Sequence, residues 1–140
     1  MNSYLSSFLS KNPKYRLVFD LSSSLDIESV DTGIYLADAL HAKAQKSNLN
    51  MYASDAIRKM IRQHTHEHPD YGRYVALRNI GILFEPALAF NLETIVEQTA
   101  KDELLVIQDK GYIANEKFFF LSQQENLSFS LKNLTYTVVE

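Results

Sequence analysis

Arg73–Pro86 reads RYVALRNIGILFEP. Tyr74-Val75-Ala76-Leu77 is a short apolar run of the kind that a strand covered on both faces requires. Arg78 places a charge at its exit, and Ile80–Phe84 makes an apolar turn that Pro86 ends. In α/β nucleotide-binding proteins such a strand ends in an acid that holds Mg²⁺. Here the exit residues are Arg78 and Asn79. The stretch therefore has the frame of a nucleotide site without its chemistry.

Working upstream, Tyr15–Asp20 (YRLVFD) is aromatic and β-branched enough for a strand, and Leu21-Ser22-Ser23-Ser24 follows as a polar loop. Asp31 is placed to cap a helix over Thr32–Lys46, with Gly33, Leu36, Ala37, Leu40 and Ala44 inward. Ser54 is placed to cap a second helix reaching His66, with Ile57, Met60, Ile61 and His64 on one face. Pro69 and Gly72 mark its exit. Ser3–Ser10 reads as one or two helical turns, blocked by Pro13.

Downstream, Asn91 caps a third helix with Leu92, Ile95, Val96 and Thr99 inward. Leu104–Gln108 (LLVIQ) is a continuous apolar run suited to a parallel sheet. After Gly111 the segments Lys117–Leu121, Leu127–Leu131 and Leu134–Val139 are strand-like, with turns at Asn126 and Lys132-Asn133. This order predicts one α/β domain over residues 1–140. A small, mainly parallel sheet carries packed helices and is closed by antiparallel C-terminal strands.

The totals fit one core. The chain has 140 residues, 46% hydrophobic and 22% charged, with a net charge of −3. That balance argues against a protein that coats nucleic acid through charge, though not against a local basic patch. With no cysteine, disulfide scaffolds, thiolate zinc sites and cysteine nucleophiles are excluded. The N-terminal stretch MNSYLSSFLSKNPK lacks the basic and long apolar regions of a signal peptide. No apolar run approaches the roughly 18 residues of a membrane span. The expectation is a cytoplasmic protein away from the membrane.

Four constellations bear on chemistry. A phosphate-cradling loop needs glycines, then Lys and Ser or Thr on a helix. The segment after the first strand, DLSSSLD at Asp20–Asp26, has no glycine or lysine and puts acids where phosphates would sit. His64-Thr65-His66-Glu67-His68 matches a bare H-x-x-E-H zinc pattern, with both outer imidazoles on one helical face; Pro69 makes it a solvated helix end instead. Gln108-Asp109-Lys110 resembles a nuclease half-motif, for which Asp20 or Asp26 would supply the upstream acid. Arg58, Lys59 and Arg62 lie close on the second helix, and with Arg73 and Arg78 they form a candidate contact surface for a partner or for phosphate. The eight Tyr and eight Phe are spread over the strands and read as packing rather than as a base-stacking platform.

Two stretches carry a family resemblance. Val30–Leu40 (VDTGIYLADAL) and Leu77–Leu88 (LRNIGILFEPAL) are followed by the helix at Asn91–Lys101, the strand at Leu104–Gln108, then Gly111 and Phe118–Phe120. In this order they resemble BrxF, the small P-loop ATPase subunit of bacteriophage-exclusion (BREX) systems. The resemblance covers roughly two-thirds of the chain, and ILFEP-x-L is its most specific part. It implies an AAA-like core. The Walker A loop and its helix have no counterpart between Asp20 and Val30, and Arg78 stands at the Walker B acid position. No ATP-binding or catalytic residue carries over. What the resemblance implies is a pseudo-ATPase: a prokaryotic, non-catalytic interaction subunit of an anti-phage defence or mobile-element system, without cofactor or metal. Its partner would be another protein subunit or a second copy. The alternatives are a small metal-dependent nuclease using Asp20, Asp26, Gln108 and Lys110, and a nucleic-acid-binding module using Arg58, Lys59, Arg62 and Arg73.

Overall fold

The structure is a computed structural model that describes residues 2–121 and 127–139. Its main sheet is built from β1 (Leu17–Asp20), β2 (Val30–Asp31), β4 (Gly72–Arg78), β5 (Leu104–Ile107) and β9 (Tyr136–Val139) in the order β2-β4-β5-β1-β9. Every pairing along that path is parallel. β3 (His66–His68) adds an antiparallel edge to the first half of β4. β6 (Tyr112–Ala114), β7 (Lys117–Phe119) and β8 (Ser128–Ser130) form a separate antiparallel sheet. The chain is thus α/β, with a mainly parallel sheet and antiparallel strands near its C-terminus. The final strand differs from expectation: it leaves the antiparallel group and joins the main sheet beside β1.

Strand alternation explains both faces. On one face Leu17, Phe19, Val75, Leu77, Leu105 and Ile107 meet α2 (Thr32–Leu40), α3 (Leu49–Gln63), α4 (Leu92–Asp102) and the small sheet. On the other, Val18, Ala76, Leu104 and Val106 meet Leu5 of α1 (Ser3–Ser10), Leu25 and Val139. The central strands are buried on both sides, as their continuous apolar runs require.

Several boundaries move. Asp31 caps α2 through the Ile34 N–H, but the helix gives way at His41 to a 3₁₀ turn, and Ala37 and Ala44 are exposed along a groove rather than inward. Helix α3 begins at Leu49, so Ser54 lies inside it and caps nothing. It ends at Gln63, because His66–His68 pairs with β4 as a strand. Asn91 caps α4 as expected, accepting the Thr94 N–H at 3.1 Å. The turn expected at Asn126 lies outside the described residues. β6 has no apolar run long enough to announce it.

Candidate functional site

The parallel strands all end on one rim, and polar side chains stand there in a row: Asp31 at the end of β2, Arg78 at the end of β4 with Asn79 after it, Gln108 and Asp109 after β5, Asp20 at the end of β1. In open α/β sheets, ligands bind at this rim where strand order reverses. Here that switch point falls between β5 and β1. The chain leaves β1 toward β2 on one side and leaves β5 toward β9 on the other.

The switch point is occupied by the chain itself. Ser23 takes a left-handed φ of 54°. That conformation turns successive N–H groups toward one point, the geometry of an anion nest. The anion in it is the Asp20 carboxylate. One oxygen accepts the Ser24 N–H at 2.9 Å and the Ser24 hydroxyl at 3.1 Å. The other accepts the Leu25 N–H and the Gln108 amide, both at 2.9 Å. Gln108 also donates to the Leu25 carbonyl at 3.0 Å, closing the ring. Asp20, Leu25 and Gln108 are all buried, and Asp20 is completely so. The DLSSSLD segment therefore folds back on its own acid, as Asp followed by serines is suited to do.

The rim is sealed on its other side too. Asp31 accepts the Ile34 N–H at 2.9 Å, the Asn79 amide at 2.8 Å and the Arg78 guanidinium at 3.1 Å. The Ile34 bond, then the Asn79 bond, and then the charge and hydrogen bond of Arg78 hold the Asp31 carboxyl below its ordinary range, against an opposing desolvation. Asn79 is left-handed at φ 53°, and its carbonyl accepts the Gly33 N–H at 3.0 Å. Asp109 accepts the Ile80 N–H at 2.8 Å and fixes the turn after β4. Arg78, expected at a contact surface, is half exposed and also clips β4 to the helix cap of α2.

Of the nuclease set, Asp20 and Gln108 are brought together at 2.9 Å but lie buried in the closed loop, whereas Asp26 and Lys110 are exposed. The histidines also separate. His64 is the C-cap of α3, with Nδ1 on the Met60 carbonyl, whereas His68 sits in a strand with Nδ1 accepting the Asp70 and Tyr71 N–H groups. The i, i+4 spacing therefore places them on no common helix face. Among the described residues no group of His, Asp or Glu is arranged to hold a metal ion.

The basic residues divide. Arg58, Arg62 and Arg73 line one cleft of about 450 Å³ with Gln98, Asp102 and Glu103. It lies at the opposite, amino-terminal end of β4 and β5. Lys59 is exposed outside it. Arg58 pairs with Asp55 at 2.8 Å, and among the described residues no ion pair engages Arg62 or Arg73. The sequence reading gave Asp102 and Glu103 no place in a site, although their charges just before an apolar strand were a visible signal. It also missed an apolar groove of about 390 Å³ between α2, the start of α3 and the 3₁₀ turns after β4, lined by Leu36, Leu40, Leu49, Ile82 and Leu88.

Among the described residues no helix is long and apolar enough to cross a membrane. No protein-family profile, no curated protein and no solved structure matches the chain.

Proposed function

We propose that this chain is a non-catalytic interaction subunit built on a pseudo-ATPase core. One observation carries the reading: at the switch point, where a nucleotide phosphate would sit, the nest holds the buried Asp20 carboxylate. A phosphate there would meet a fixed negative charge in a closed site. The rim position that would carry the metal-binding acid holds Arg78, already committed to Asp31. The order of the parallel strands, which in chain order reads 2-3-4-1-5, supports an AAA-like core. The open apolar groove supports a role in binding another protein. Assignment to an anti-phage defence or mobile-element system rests on the resemblance at Ile82–Leu88 to BrxF.

Calorimetric titration of the whole chain with Mg-ATP and Mg-ADP tests the reading. No saturable heat is expected up to about 1 mM nucleotide, the upper end of ordinary substrate constants. Saturable binding below that level, or ATP hydrolysis above buffer, overturns it. Gene deletion in the native host, scored by phage plaquing efficiency, tests the defence assignment; unchanged plaquing removes it.

A further inference from the structure

We infer that the cleft of Arg58, Arg62 and Arg73 is a docking site for a short carboxylate-rich segment of a partner protein. This rests on the reading of the chain as an interaction subunit and gives that partner a chemistry. Three arginines line the cleft from two separate elements, Arg58 and Arg62 one turn apart on α3 and Arg73 at the start of β4. Arginine's planar fork suits bidentate capture of a carboxylate. Arg62 and Arg73 are unpaired among the described residues, and Arg58 shares only an exposed pair with Asp55. Glu67 stands opposite Arg73 across the β3–β4 ladder, yet no ion pair joins them.

The surroundings favour a peptide over a nucleic-acid strand. A phosphodiester backbone is tracked by a stripe of positive charge. Here the basic residues do not run as an unbroken stripe: the three arginines share the cleft with acids, Arg16 at its edge donates to the Asp102 carbonyl at 2.9 Å, and Arg78 is at the far end of β4 paired with Asp31. Asp102 and Glu103 form part of the same lining, and Glu103 is buried with its carboxylate accepting the Thr65 hydroxyl at 2.8 Å. These two acids repel a continuous polyanion, whereas a short segment can place its carboxylates on the arginines and end before reaching them.

The test is fluorescence anisotropy with a short labelled polyglutamate peptide, a polyglutamine peptide of equal length and an oligothymidylate of equal charge, at low and physiological ionic strength. Polyglutamate is expected to bind at least about tenfold more tightly than either control, and to weaken with salt. Arg62→Glu and Arg73→Glu, each checked for folding by circular dichroism, are expected to lower that affinity by about tenfold or more. Lys59→Glu, on the same helix but outside the cleft, is expected to leave it unchanged. Absence of polyglutamate binding overturns the inference, as does oligothymidylate binding equally well. Equal loss in Lys59→Glu and Arg62→Glu also overturns it, since that would mark general electrostatics. Each of these failures leaves the nucleotide titration untouched, so the sealed switch point stands or falls separately.

Discussion

Asp20 accepts four hydrogen bonds with no solvent contact, so its two oxygens set the conformation of the loop that follows β1. Asp20→Asn keeps the shape but replaces one acceptor with an NH₂ group that faces donors. It is expected to cost about 2–3 kcal/mol, since a buried donor left unpaired loses its full solvation. Urea unfolding measures this, and a midpoint equal to wild type would show that the nest contributes nothing. Asp31 makes a second, distinct prediction. Its folded-state pKa lies below its unfolded value, so its contribution is complete above the ordinary carboxylate range and is lost as pH falls through the lowered value. Stability measured from pH 7 down through about pH 4 and below should therefore fall less steeply in Asp31→Asn than in wild type. The leading causes are the Ile34 and Asn79 bonds, and the Arg78 side chain is half exposed. Arg78→Ala is thus expected to change stability by less than about 1 kcal/mol. Asp31→Ala should cost about 1–2 kcal/mol through loss of the helix cap. The reverse ranking would make the ion pair, and not the cap, the main support.

The elements are held by contacts that reach across the sequence, and Gly111 shows how closely. A Cβ at this position would lie 2.5 Å from Phe118 Cζ and 2.5 Å from the Phe119 carbonyl oxygen. The Phe118 ring cannot yield easily, because it stacks on Phe19 with centroids 4.9 Å apart and touches Phe129 at 5.5 Å. Gly111→Ala is expected to cost about 2–3 kcal/mol by overpacking. Gly72→Ala meets open space and is expected to cost only about 1 kcal/mol, through its left-handed φ of 77°. Chemical denaturation separates the two, and equal losses would show that the small sheet shifts to make room. This seat was not visible in the sequence, where Gly111 marked only the change of pattern into the C-terminal strands. Elements with strong local signals were legible: the Asn91 cap of α4 and the doubly covered runs at Tyr74–Leu77 and Leu104–Ile107. Those decided by pairing were not. His64 and His68 have helical spacing, yet His66–His68 becomes a strand because β4 offers it an antiparallel edge. The site followed the same division. DLSSSLD showed that acids replace glycines, but the partner that completes the nest, Gln108, lies 88 residues away.

Across the whole molecule, the missing piece is a helix between β1 and β2. The other long crossovers of the main sheet carry helices or the small sheet, whereas residues 21–29 form only a loop. A parallel sheet must be covered on both faces. The second face is closed instead by α1, which packs along β9, and by Leu25 and Ile27 from the loop. Nothing local in Ser3–Ser10 announces this role, because eight residues make a marginal helix unless a tertiary surface holds it. The surface is provided by Val18, Val106 and Val139, against which Leu5 is fully buried. Asn2 reinforces the seat: its side chain caps the helix, and its backbone N–H donates to the Tyr71 hydroxyl at 3.0 Å. Leu5→Ala is therefore expected to cost about 3 kcal/mol, the ordinary loss for a buried leucine. Tyr4→Ala, one residue away but half exposed, should cost well under 1 kcal/mol. The stronger consequence concerns the sheet itself. If α1 does the work of a crossover helix, Leu5→Ala should also speed amide exchange in β1 and β9, the strands nearest it, while leaving α3 on the opposite face protected. Uniform acceleration across both faces would mean that the substitution lowers global stability without uncovering one side, and the assignment of α1 as a replacement cover would fail.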